Sequence, residues 1–261
     1  MTDEVLLATF LAGVLAATGY FYVGARLYAR PVSPSSRLAV AQFSVWWFGL
    51  GATTALGAVE SLLAFAGVLT LPAAVTFQLL VVLVDVALLW GLVGFLIYVY
   101  TGRYHLVPLT AFYAVFYAAA LYYEILGAPY ALTIRAGVPT LSTLTVSDPI
   151  LVGFVIIGLV VPELAGAVLY LSLLRRTRDR AQRYRIALVG FSLFLWFAIS
   201  AFVPTTTGTW VVTKDLLEVV PALITLIAYF PPEAIRRRLR WTGTAAEEPI
   251  GLGGGVARPE E

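Results

Sequence analysis

The chain contains no cysteine, so disulfide cross-links, thiolate metal sites and cysteine nucleophiles are excluded from its chemistry. Histidine occurs once, as His105, which rules out bis-histidine haem ligation and deprives a histidine-based metal site of its partners. Lysine occurs once, as Lys214, among 17 basic residues, so positive charge is carried almost entirely by arginine. Charged residues make up 12% of the sequence, too few to solvate the surface of a water-soluble domain. There is no phosphate loop, Asp-rich prenyltransferase box or nucleophile elbow, so no motif argues for an enzyme and a non-enzymatic protein is expected.

What is present is apolar. Mean hydropathy is +0.89, and 60% of the residues are hydrophobic. A membrane-crossing helix needs ~20 mostly apolar residues at a rise of ~1.5 Å each. Stretches that meet this length lie near 5–28, 38–66, 73–100, 106–127, 150–174, 184–204 and 210–230. The sequence therefore predicts an all-α polytopic membrane protein, a seven-helix bundle occupying 1–241, with connections that are short except for 128–149. The first span reads as retained, because its apolar run is too long for a signal peptide and no small-residue cleavage site precedes Arg26 and Arg30. The remainder, 242–261, is Gly-rich, carries Glu247, Glu248, Glu260 and Glu261, and is expected to be a disordered cytoplasmic tail.

Arginine clusters at 26, 30 and 37, at 103, at 175–185 and at 236–240 alternate with connections nearly free of basic residues. The positive-inside rule then places the N-terminus outside and the C-terminus in the cytoplasm of a cell-membrane protein. Arg175, Arg176, Arg178, Arg180, Arg236, Arg237 and Arg238 serve topology and headgroup contact on this reading, and they are also the candidate docking surface for an acidic partner.

Arg37-Leu-Ala-Val-Ala-Gln-Phe43-Ser44, entering the second span, resembles Arg185-Ile-Ala-Leu-Val-Gly-Phe191-Ser192, entering the sixth, and a tryptophan follows each (Trp46, Trp196). A 3+1+3 duplication would produce this pattern, and so would a lipid-restricted alphabet. Pro162 and Pro221 fall inside the fifth and seventh spans, where each removes a backbone hydrogen bond and is expected to kink its helix.

Charge at bilayer depth costs ~2.5–3.5 kcal/mol per residue even on the lenient insertion scale. Asp85 lies about halfway along span three and Glu163 about halfway along span five, while Glu60, Glu124 and Glu218 lie in the outer parts of spans two, four and seven. Carboxyls that outnumber the amines must be protonated, hydrated or bound to a cation, and a water-accessible acidic cavity opening outward is the economical inference. Lys214 and Asp215 have a simpler explanation, since Trp210 marks the headgroup belt just before them. Glu60 and Glu124 can reach the same interface, and Glu218 can neutralise Lys214 one turn away. Trp90, Trp196, Tyr117 and the other aromatics of span four suit a small amphipathic or cationic ligand beside these carboxyls, or ordinary packing. The candidate ligand residues are thus Asp85, Glu163, Glu218, Glu60, Glu124, Trp90, Trp196 and Tyr117.

Two families share this plan. Microbial rhodopsins hold retinal through a lysine in the middle of the seventh span, four residues after an aspartate. Here Lys214 precedes Glu218 and lies only about a turn into the span, so a retinal Schiff base is not expected and no cofactor is assigned. The stretch Phe95-Leu-Ile-Tyr98-Val-Tyr100-Thr101-Gly102-Arg103 resembles the exit of the third span in the seven-helix sensory modules of archaeal and bacterial membrane histidine kinases. Trp46, Ala58-Val59-Glu60 and Pro72 fit the same pattern, which covers roughly the first four spans. The resemblance implies a sensory or receptor-like bundle that signals to a separate cytoplasmic or membrane partner, without a kinase domain of its own. A transporter or proton-coupled carrier built on the 3+1+3 repeat, and an accessory membrane subunit, are the alternatives. Expected partners are the lipid bilayer and a signalling protein, not nucleic acid, and the oligomeric state is left open.

Overall fold

In hydrocarbon a backbone amide finds no water, so each apolar run closes its hydrogen bonds on itself as a helix. A computed structural model describes residues 2–126, 130–135, 138–143, 160–177, 179–203 and 208–239. Seven long helices follow the seven apolar runs: α1 Thr2–Tyr28, α2 Pro34–Phe65, α3 Leu71–Thr101, α4 Leu106–Leu126, α5 Val161–Arg176, α6 Arg180–Phe202 and α7 Gly208–Tyr229; a short helix, α8 Glu233–Arg238, comes after them. Residues 150–159, expected to open the fifth span, and the tail 242–261 lie outside the described residues. α1, α2, α3 and α6 are each long and apolar enough to cross a membrane, and α4 and α5 contain shorter apolar helices. α7 carries Lys214, Asp215 and Glu218.

The boundaries follow local chemistry. Thr70 caps α3 by accepting from the Ala73 N–H, with Pro72 in the first turn. Asp179 caps α6 by accepting from the Gln182 N–H at 2.7 Å. α3 ends on Gly102 at φ 69°, a left-handed conformation that glycine enters without a Cβ clash, and the Gly102 N–H returns to the Tyr98 carbonyl.

Around the bundle, α1 packs on α2 and α7, α2 on α3, α3 on α5, α5 on α6 and α6 on α7, which closes a ring. α4 lies against α3 on the outside. Its Val107 and Val115 are 81% and 71% exposed, as are many apolar side chains that face lipid rather than water. The interior is filled with rings. Phe43 stacks on Phe95 at 4.3 Å and meets Trp47 edge-on, and Trp46 meets Trp196 edge-on at 5.4 Å, tying α2 to α3 and α6. α2 and α3 approach closely because Gly91 and Gly94 offer no side chain there: a Cβ at Gly91 would sit 2.5 Å from the Gln42 carbonyl, and one at Gly94 would overlap the Gln42 amide.

Three features lie beyond what the apolar runs predict. Within the long connection 128–149, β1 Tyr130–Arg135 pairs antiparallel with β2 Val138–Thr143, from Tyr130 opposite Thr143 to Arg135 opposite Val138. β-Branched Thr133, Ile134, Val138 and Thr140 on either side of Ala136-Gly137 were the available signal. The sequence repeat also fails to specify equal environments, because Phe43 is buried whereas Phe191 is 50% exposed. Finally, Arg30 and Arg185 belong to the arginine clusters read as topology determinants, yet both are buried, with their guanidiniums over the Tyr229 ring at 5.3 and 5.5 Å.

Candidate functional site

The end of the bundle that is poor in arginine holds a cavity of about 430 Å³ between α1, α2, α3, α6 and α7, with Pro139 of β2 against it. Glu60, Asp85, Asp215 and Glu218 line it, four carboxyls facing a single ammonium, that of Lys214. Thr9, Thr53, Thr54, Ser61 and Ser200 add hydroxyls to the wall, and Trp196 supplies its aromatic surface. No cluster of three His, Asp or Glu suited to a metal ion occurs among the described residues.

Glu218 is the most enclosed of these carboxyls, at 7% exposure. It is held from three helices. The Tyr20 hydroxyl of α1 donates to its backbone carbonyl at 3.0 Å and to Oε2 at 3.2 Å. Ser200 of α6 donates to Oε1 at 3.3 Å, and Lys214, one turn earlier on α7, brings its Nζ to 3.6 Å from the same oxygen. A carboxylate in apolar surroundings needs this many donors, and the low dielectric makes each count for more than in water. Tyr20 is fixed in turn by Trp47, with ring centroids 5.9 Å apart.

Below the cavity, Ser192 donates to the Pro221 carbonyl at 2.7 Å and lies 2.9 Å from the Thr225 hydroxyl. Pro221 is inside α7, as the sequence placed it, and this brace holds the helix where its hydrogen-bond ladder is interrupted. Pro162 sits in the first turn of the described α5 helix, a position that tolerates proline.

Of the eight candidate ligand residues, the structure brings Glu60, Asp85, Glu218 and Trp196 to one cavity. The side chains of Glu163 and Glu124 lie outside the described residues. Trp90 points elsewhere: its indole N–H donates to Thr110 on α4 at 3.1 Å. Tyr117 is on α4, away from the cavity, and the α4 residues Phe112 and Tyr113 line a separate apolar groove of about 310 Å³ between α3, α4 and α5. Lys214 and Asp215, for which the headgroup belt offered a simpler explanation, both face the cavity. One turn of helix separates Lys214 and Asp215 from Glu218, and that spacing was the signal for placing all three on one wall. Arg175, Arg180, Arg236, Arg237 and Arg238 are exposed at the opposite end, whereas the side chain of Arg176 and the whole of Arg178 lie outside the described residues.

Among the solved structures to which the chain is similar is squid rhodopsin, whose crystal structure superposes with a TM-score of 0.57 over 95% of this chain and 88% of that one, at 11% identity. The fold is a seven-helix membrane bundle. At this identity the likeness is one of architecture. No protein-family model matches the chain, and no curated protein matches it. The motif behind the resemblance to histidine-kinase sensory modules has a local structural account. Gly102 is the left-handed cap of α3, Thr101 accepts from the Arg103 N–H at 3.1 Å, and Tyr98 stacks on Tyr104 at 4.5 Å.

Proposed function

We propose that this protein is a non-enzymatic, receptor-like membrane sensor that binds a small cationic ligand in the cavity formed by Glu60, Asp85, Asp215 and Glu218. The observation that carries this reading is the charge imbalance, four carboxyls against one ammonium in a cavity at membrane depth. Ionisable groups inside a membrane are expensive and mark functional pathways. Trp196 offers the ring face on which an organic cation packs, and the five hydroxyls offer acceptors that orient it. Glu163 and Glu124 remain proposed contributors on their sequence positions. Lys214 lies near the start of α7 and faces Glu218, so no retinal Schiff base is assigned.

On this reading the protein resides in the cell membrane with its arginine-rich end in the cytoplasm, where the exposed Arg175, Arg180 and Arg236 to Arg238 meet an acidic partner. Binding shifts the bundle only through a difference in affinity between two arrangements of its helices.

Purified protein is titrated with sodium, potassium, magnesium and calcium chlorides and with ethylammonium and tetramethylammonium chlorides, following thermal unfolding and tryptophan fluorescence. A ligand at 100 times its Kd adds ~2.7 kcal/mol of stability. At least one cation should stabilise the wild type, and Asp85→Asn combined with Glu60→Gln should fold and lose that response. Glu163→Gln, read alongside, tests whether span five contributes. If no cation stabilises the wild type, or the variants respond equally and melt higher, the carboxyls are interhelical glue and the accessory-subunit reading replaces this one.

A further inference from the structure

α7 is two segments held in different ways. Beyond Pro221 its inward face is embedded: Ala222, Thr225, Ala228 and Tyr229 are at most 4% exposed. Ser192 grips it at the Pro221 carbonyl and at Thr225, and the guanidiniums of Arg30 and Arg185 lie over Tyr229. Before Pro221, Glu218 is the one buried residue among those described, and the outward face of Leu216, Leu217 and Val220 continues into Leu223 and Ile227 beyond the proline. The polar tie from this segment to the rest of the bundle runs through Glu218, by way of Tyr20 on α1 and Ser200 on α6, while Val219 packs on the apolar core. Every α7 residue that lines the cavity lies in this first segment: Val211, Lys214, Asp215 and Glu218. The proline that separates the segments removes a backbone hydrogen bond at their junction.

We propose that the first segment of α7, Gly208 to Val220, is a gate in the cavity wall, hinged at Pro221 and latched by Tyr20 and Ser200 on Glu218. A group entering the cavity and competing for Glu218 releases the latch. The arm is ~20 Å long at ~1.5 Å per residue. A swing of ~15°, less than the ~20° that defines a sharp proline kink, carries its tip by ~5 Å. That opens the cavity beside α1 and α6 while the embedded segment stays in place. The role given to the gate rests on the cavity being a ligand site, but hinge and latch are tested without ligand, so the two ideas fail separately.

The chain has no native cysteine, so introduced pairs take spin labels uniquely. Thr209→Cys with Thr76→Cys reports the arm, and Ile227→Cys with Val107→Cys reports the embedded segment, by electron–electron distance measurement in lipid nanodiscs. In the Tyr20→Phe/Ser200→Ala background the first distribution should broaden and shift by several ångströms while the second stays unchanged. Adding Pro221→Ala to that background should restore the narrow distribution. Glu218→Gln is read in the same way should the double variant fail to insert. The proposal is overturned if the first distribution does not change, if both shift together, or if Pro221→Ala leaves the broadening in place.

Discussion

Tyr20 and Glu218 are separated by 198 residues in sequence, yet the Tyr20 hydroxyl lies 3.0 Å from the Glu218 backbone carbonyl and 3.2 Å from its side-chain Oε2. One phenol therefore fixes both the backbone of α7 and the rotamer of its buried carboxyl, and it joins the first and last long helices of the ring. Interhelical hydrogen bonds in membranes are worth ~0.6 kcal/mol on average and ~1.7 kcal/mol at most. Tyr20→Phe should lower stability within that range, since Ser200 and Lys214 still face the carboxyl. Chemical or thermal unfolding in detergent measures it. A loss well above the range would mean that Ser200 and Lys214 do not compensate and the buried Glu218 carboxyl is left underpaired, since phenylalanine keeps the ring packing on Trp47.

Gln42 is almost fully buried, and neither end of its amide has a hydrogen-bond partner among the described residues. A Cβ at Gly94 would overlap that amide. Gly94→Ala should therefore destabilise the protein by ~1–3 kcal/mol, the usual cost of overpacking. The same substitution in a Gln42→Ala background should cost much less, because the obstructing amide is gone. Gln42→Leu alone should be neutral or stabilising, as it removes an unsatisfied polar group while keeping most of the volume. Equal costs for Gly94→Ala in both backgrounds would show that α2 and α3 adjust without Gln42.

The orientation is checked with reporters. One fused after Arg180 or at the C-terminus should be cytoplasmic, and one inserted near Thr140 in β2 should be external. A cytoplasmic signal at Thr140 would turn the acidic cavity to face the cell interior and invert the direction of sensing.

Lys214 gives the last prediction. Its Nζ is 3.6 Å from Glu218 in a cavity that Glu60, Asp85 and Asp215 also line. Protein incubated with all-trans or 11-cis retinal should develop no visible absorption band that Lys214→Ala removes. A lysine-dependent band would show that the cavity admits a polyene and would displace the cationic ligand.

The sequence by itself determined the fold class, a bundle of long membrane helices, because a bilayer leaves a backbone few ways to satisfy its amides and an apolar run of ~20 residues has one outcome. It also isolated Asp85, Glu60 and Glu218, since charge within an apolar run is conspicuous whatever the fold. It did not show which of these residues face one another. Helix rotation is set by packing, and helices that are apolar on every side carry no periodic signal to say which face turns inward. For that reason the sequence groups Trp90 with the carboxyls although it faces Thr110 on α4, and does not decide between the headgroup belt and the cavity for Lys214 and Asp215, which face the cavity. The hairpin Tyr130–Thr143 was hidden by its brevity, and the burial of Arg30 and Arg185 by their place in clusters that read as surface charge. Tertiary structure decided these, because only the close approach of α2 to α3 at Gly91 and Gly94, and of α1 and α6 to α7 at Glu218, sets how each helix is turned.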